Sequence, residues 1–184
     1  MIFNRLPAMA LVLATLLASP ASAQFFGWGG GYVGGSVGST SFEEASGSPV
    51  GEGASIALHG GFNVAVIPNV VFGGELSLSP TVLEDSTTPS ETFGYMTTLR
   101  ARAGFTMDNI LIYGALGYAA AVYDNGLGTD AGNGTMYAYG AEYKFTPLTS
   151  VRLEVSHTKI DDFVALPTTS FETDTISLGA SLHF

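Results

Sequence analysis

Apolar residues recur at every second position in segment after segment of this chain, and a period of two builds strands rather than helices. Eight segments of about ten residues carry it: Gly30–Ser39, Ala54–Ala65, Val70–Ser79, Thr92–Phe105, Ile110–Tyr123, Met136–Phe145, Val151–Ile160 and Asp174–Phe184. The longest apolar run beyond the N-terminus, Ile110–Tyr123, has 14 residues, short of the roughly 20 that a membrane-spanning helix needs. Its glycines, tyrosines and β-branched residues also suit a strand. The links between segments alternate in length. Val66-Ile67-Pro68-Asn69, Thr106-Met107-Asp108-Asn109 and Thr146-Pro147-Leu148-Thr149-Ser150 are short and carry turn chemistry. The links over 40–53, 80–91, 124–135 and 161–173 are long and acidic.

Each segment sorts into two faces. In the last, Ile176, Leu178, Ala180, Leu182 and Phe184 oppose Thr175, Ser177, Gly179, Ser181 and His183. In the sixth, Tyr137, Tyr139, Tyr143 and Phe145 oppose Met136, Ala138, Gly140, Glu142 and Lys144. Alternation alone leaves open which face is inside, because a soluble sandwich would bury the apolar one. Charge placement decides. Charged residues are only 12% of the chain, about half the usual share. Beyond residue 23 the bases are Arg100, Arg102, Lys144, Arg152 and Lys159. The first four lie mid-strand, on the face that also carries Glu75, Glu142 and Glu154 amid Gly, Ser and Ala. Small residues beside opposed charges suit the cramped lumen of a narrow barrel, and an aromatic-aliphatic face suits lipid. The fold expected is all-β: an eight-stranded antiparallel up-and-down transmembrane β-barrel over residues 24–184.

Residues 1–23 read as a cleaved signal peptide. Arg5 supplies the basic start, Ala8–Ala18 the apolar stretch, and Ala21-Ser22-Ala23 the small-x-small cleavage site. The apolar stretch is too short to anchor the chain as a helix. A formal charge of −10 with six bases excludes nucleic acid as a partner. The absence of cysteine excludes a disulfide scaffold and thiolate metal sites. No cofactor or metal is expected.

Beyond these readings, the chain resembles the OmpA/OmpX-type small outer-membrane barrels, in particular the opacity-protein-like branch of Gram-negative bacteria. The resemblance is carried by Gly31-Tyr32-Val33-Gly34-Gly35-Ser36-Val37-Gly38, Gly60-Gly61-Phe62-Asn63-Val64, Gly74-Glu75, Arg100-Ala101-Arg102-Ala103-Gly104-Phe105 and Tyr113-Gly114-Ala115-Leu116-Gly117-Tyr118. It continues through Gly140-Ala141-Glu142-Tyr143, Arg152-Leu153-Glu154 and the terminal Ser177–Phe184. It implies an acid-base cluster blocking the bore at Glu75, Arg102, Glu142 and Arg152, with Arg100, Lys144 and Glu154 expected in the same column. It also implies an assembly signal at Leu178, Ala180, Leu182 and Phe184, read by the barrel-assembly machinery. The partners implied are the lipid bilayer, lipopolysaccharide, that machinery and periplasmic chaperones, for a monomer in the bacterial outer membrane. The peptidoglycan-binding domain that follows some such barrels is not expected after Phe184, and no cell-wall tether is inferred.

Some barrels of this kind hydrolyse or transfer lipid acyl chains, which requires a Ser and a His in hydrogen-bond reach. Ser156 and His157 are adjacent, but period two sends them to opposite faces. The expectation is therefore no catalysis, with His59 filling the lumen and His157 and His183 at the membrane interface. The long links should face outside the cell. Their acids, such as Glu43, Glu52, Glu84 and Asp162, read as a solvated rim more readily than as a cation-bridged collar on lipopolysaccharide. The function expected is structural, in surface coat and envelope integrity, with loop-mediated adhesion; the alternative is a low-conductance porin for small solutes.

Overall fold

The computed structural model describes residues 27–44, 49–83, 92–124, 129–161 and 171–184; the expected signal peptide lies outside the described residues. The described chain forms β1 (Gly30–Glu44), β2 (Pro49–Ile67), β3 (Val70–Leu83), β4 (Thr92–Met107), β5 (Ile110–Asp124), β6 (Thr129–Thr146), β7 (Thr149–Asp161) and β8 (Phe171–His183). Each strand pairs antiparallel with the next, and β8 returns to β1 to close a barrel. Closure leaves no sheet edge with unpaired backbone groups, the condition for strands to stand in hydrocarbon.

The faces divide by parity. Leu99, Leu116 and Tyr118 are 65%, 71% and 72% exposed on the outer wall, while Glu75, Arg102 and Glu142 are buried at 1%, 3% and 1%. An apolar exterior around a charged interior inverts a soluble protein and fits a lipid surround.

Strands of 13 to 19 residues exceed the 9–11 or so that a bilayer requires. They run into segments that the residue pattern assigns to long links: Ser41 pairs with Glu52, Ala121 with Gly132, and Lys159 with Glu172. Backbone ladders need no apolar alternation, so the ladder continues past the part of the wall whose outer side chains are apolar. At the opposite end the turns are tight. Two residues each, Pro68-Asn69, Asp108-Asn109 and Pro147-Leu148, separate the flanking strands. Asn69 and Asp108 take φ of 65° and 49° there, the left-handed region that Asn and Asp tolerate best after glycine. The two ends are called the loop end and the turn end below.

Candidate functional site: the barrel lumen

Eight strands enclose a space that side chains can fill, and here they fill it in layers. The middle layer is ionic. Glu75 of β3 is its hub, 2.5 Å from Arg100, 2.8 Å from Arg152 and 3.5 Å from Arg102. Arg100 grips Glu154 through two nitrogens, both at 2.8 Å, and Arg102 reaches Glu142 at 3.0 Å. Tyr32 donates to Glu75 at 2.7 Å and Tyr113 to Glu154 at 2.6 Å. Three guanidiniums thus face three carboxylates, and the layer is electrically balanced. Balance is what burial demands, since a desolvated charge left unpaired costs several kcal/mol.

Six of the residues expected in the charged column therefore meet: Glu75, Arg100, Arg102, Glu142, Arg152 and Glu154. Lys144 departs from that expectation. It lies toward the turn end, where its ammonium donates to the Gly27 carbonyl and sits 4.8 Å from the Trp28 ring centre. The reason is register. Lys144 is one inward position beyond Glu142 along β6, opposite Ser150, close to the start of the turn.

The turn-end layer is built around a buried aromatic cluster. Trp28 is 2% exposed and clusters with Val71, Leu111 and Tyr113. Its indole N–H donates to the Asp108 carbonyl at 3.2 Å, so the residues preceding β1 cap the bore. His183 belongs to this layer, which corrects its expected place at the interface. Its ring stands edge-on to Trp28 at 6.0 Å, and Nε2 lies 2.8 Å from Ser150 Oγ and 3.2 Å from Glu142 Oε1. Parity shows why: His183 shares the inward face of β8 with Ser181 and Gly179. His59 is buried in the lumen, 3.0 Å from Ser181 Oγ. His157 faces outward, stacked on Tyr137 at 5.0 Å and 2.8 Å from Asp174.

A Ser, a His and a Glu do therefore converge. The Ser150 hydroxyl donates to Glu142 at 2.5 Å, and His183 faces both partners through the same nitrogen. That nitrogen is positioned to donate rather than to accept the serine proton. The group is buried beneath Trp28, and Glu142 is also held by Arg102. It is a lock between β6, β7 and β8 and lacks the relay a nucleophile needs.

Large lumen residues lie over glycines directly opposite them on the neighbouring strand: Tyr32 pairs with Gly61, Tyr113 with Gly140 and Arg100 with Gly117. A Cβ on Gly61 would fall 2.6 Å from Tyr32 Cζ, one on Gly140 2.9 Å from Tyr113 Cζ, and one on Gly117 2.6 Å from Arg100 Cβ. The residue pattern alone did not single out Trp28, Tyr32, Tyr113 or Ser150. The signal was present for two of them: Tyr32 and Tyr113 share parity with Gly34, Ser36, Ala115 and Gly117, the small-residue face.

The loop-end layer holds a cavity of about 130 Å³ above the ionic floor. At the seam, Leu178, Ala180 and Leu182 point outward, and Phe184 exchanges backbone hydrogen bonds with Gly31 at 3.0 and 2.9 Å.

The sequence profile described as "Outer membrane protein beta-barrel domain" matches residues 8–184. The chain belongs to this outer-membrane barrel family. Its place is the bacterial outer membrane, and its surroundings are lipid. No curated protein sequence matches it. Among solved structures it is similar to Neisserial surface protein A, with a TM-score of 0.62 at 17% identity, covering 84% of this chain and 97% of that one. It is similar also to Ail, the attachment invasion locus protein of Yersinia pestis, solved with the heparin analogue sucrose octasulfate (TM-score 0.56, 16% identity, 84% and 99% covered). A third likeness is to the outer membrane enzyme PagL (TM-score 0.54, 15% identity, 83% and 99% covered). At these identities the likeness concerns the fold of this outer-membrane barrel. One fold thus carries both an attachment protein and an enzyme, and function must be argued from the side chains.

Proposed function

We propose that this outer-membrane barrel is a closed, structural protein of surface coat and envelope integrity, without catalytic activity, whose long loops provide an adhesive outer surface. The carrying observation is the ionic layer: six buried charged residues and two tyrosines tie β1, β3, β4, β5, β6 and β7 together across the bore. An ion crossing it must displace paired groups or pass them dehydrated, and either is costly. The aromatic cap at the turn end adds a second closure. The Ser150–His183–Glu142 lock supports the non-enzymatic reading, and the similarity to an attachment protein supports the adhesive one.

Export through cleavage after Ala23, delivery by periplasmic chaperones, recognition of Leu178, Ala180, Leu182 and Phe184 by the assembly machinery, lipopolysaccharide as a neighbour and a monomeric state complete the proposal. Planar-bilayer recording tests it. The wild type should be silent, and Arg152→Ala should show small discrete steps. A wild type that conducts freely would replace the closed barrel with the second reading, a low-conductance pore, for which the open loop-end cavity is the favouring feature.

A further inference from the structure

The loop-end cavity differs in chemistry from the rest of the lumen. Eleven of its lining residues are serine or threonine, and its floor is Glu75, Arg100, Arg152 and Glu154. The floor residues are spent on one another. Some hydroxyls are spent too: Thr40 pairs with Thr175 at 2.7 Å and Ser77 with Thr98 at 2.6 Å. Ser36, Ser156, Thr158 and Ser177 also line the cavity, and among the described residues their hydroxyls have no protein partner.

We propose that this vestibule is a binding site for a small neutral polyhydroxylated molecule, of glycerol to monosaccharide size. Three features select that class. The room is that of several water molecules, too little for a peptide or an acyl chain. The lining offers hydroxyl groups that both donate and accept, matching a polyol whose own hydroxyls do both. The floor carries two acids and two bases, so an entering ion would lose its hydration without gaining a counter-charge. Below the floor the bore is closed, so a solute entering from the loop end is held and not passed on. In the orientation that an even number of strands gives, that end opens to the cell exterior.

The test is a titration of the refolded full chain in detergent micelles with glycerol, erythritol and glucose, and with phosphate and acetate as charged controls, read by amide and side-chain chemical shifts. Ser156→Val/Ser177→Val serves as the second protein, its folding checked by heat-modifiable gel migration. The expected result is saturable shifts for at least one neutral polyol, centred on Ser36, Ser156 and Ser177, weakened tenfold or more in the double variant. Shifts that stay linear with concentration, or none at all, would reduce the vestibule to a water-filled dead end. Tighter response to the anions, or equal response in the folded variant, would equally overturn the assignment. A silent wild type in bilayers together with a failed titration would leave the closed barrel intact and remove only this site.

Discussion

Glu75→Gln removes one charge from the hub of the lumen, and the geometry says which partner suffers. Arg100 keeps both contacts to Glu154 at 2.8 Å, and Arg102 keeps Glu142 at 3.0 Å. Arg152 has only Glu154 left, at 4.0 Å. One guanidinium is therefore stranded in a buried site, and breaking one buried pair costs about 3–5 kcal/mol. Water entering from the vestibule, which Arg152 and Glu75 both touch, should hold the loss to the lower part of that range. Arg152→Met in the same background removes the stranded charge and leaves two acids, two arginines and two intact pairs. The double variant should then recover at least about 2 kcal/mol relative to the sum of the single changes, a coupling well above the usual error of additivity. Urea unfolding in lipid vesicles measures this. Trp28, the sole tryptophan and 2% exposed, reports the transition by fluorescence, and heat-modifiable migration confirms the folded end point. Additive losses, or a single-variant cost below about 1 kcal/mol, would refute the account of the layer as a paired and balanced unit.

Further outcomes follow from the other layers. Leu178→Arg, on the lipid face, should destabilise the barrel by ~2–4 kcal/mol, whereas Ser177→Asn, its inward neighbour, should cost far less; equal losses in the same urea assay would mean that the faces are misassigned. Gly140→Val should cost ~1–3 kcal/mol, because its Cβ would meet the Leu153 carbonyl at 2.7 Å and the Tyr113 hydroxyl at 2.8 Å, and Tyr113→Leu should relieve part of that loss. Asn63 is 1% exposed with neither end of its amide bonded among the described residues. Asn63→Leu should therefore be neutral or stabilising, and a loss above about 2 kcal/mol would reveal a partner.

Much of the barrel was legible in the residues because a wall between lipid and a packed lumen imposes a single period. Leu153 against Arg152 and Leu178 against Ser177 already state both the strand and its sides. Strand ends were not legible. Where both faces are polar, as at Ser41 and Glu52, the ladder persists through backbone bonds that leave no mark on side-chain pattern. The ionic layer shows in the sequence as charges sharing a parity, but parity carries no depth, so the pattern groups Lys144 with residues it lies beyond. The aromatic cap was the least visible. Trp28 precedes the first strand, and its burial depends on reaching Asp108, 80 positions away, a contact that no local pattern encodes.

The glycine seats have a consequence for how such a barrel can change over time. Tyr32 fits because Gly61 has no side chain, and Tyr113 because Gly140 has none. Each large residue and its bare counterpart are cross-strand partners and form one unit of volume divided unequally between two adjacent strands. Drift by single steps is then obstructed in either order: enlarging the glycine collides, and shrinking the aromatic leaves a void. Paired exchange remains open, with the bulk moving to the other strand. Lineages of this architecture can therefore diverge far in sequence while the sum across each cross-strand pair stays constant, and that sum, rather than any residue, is what a comparison of their interiors should track.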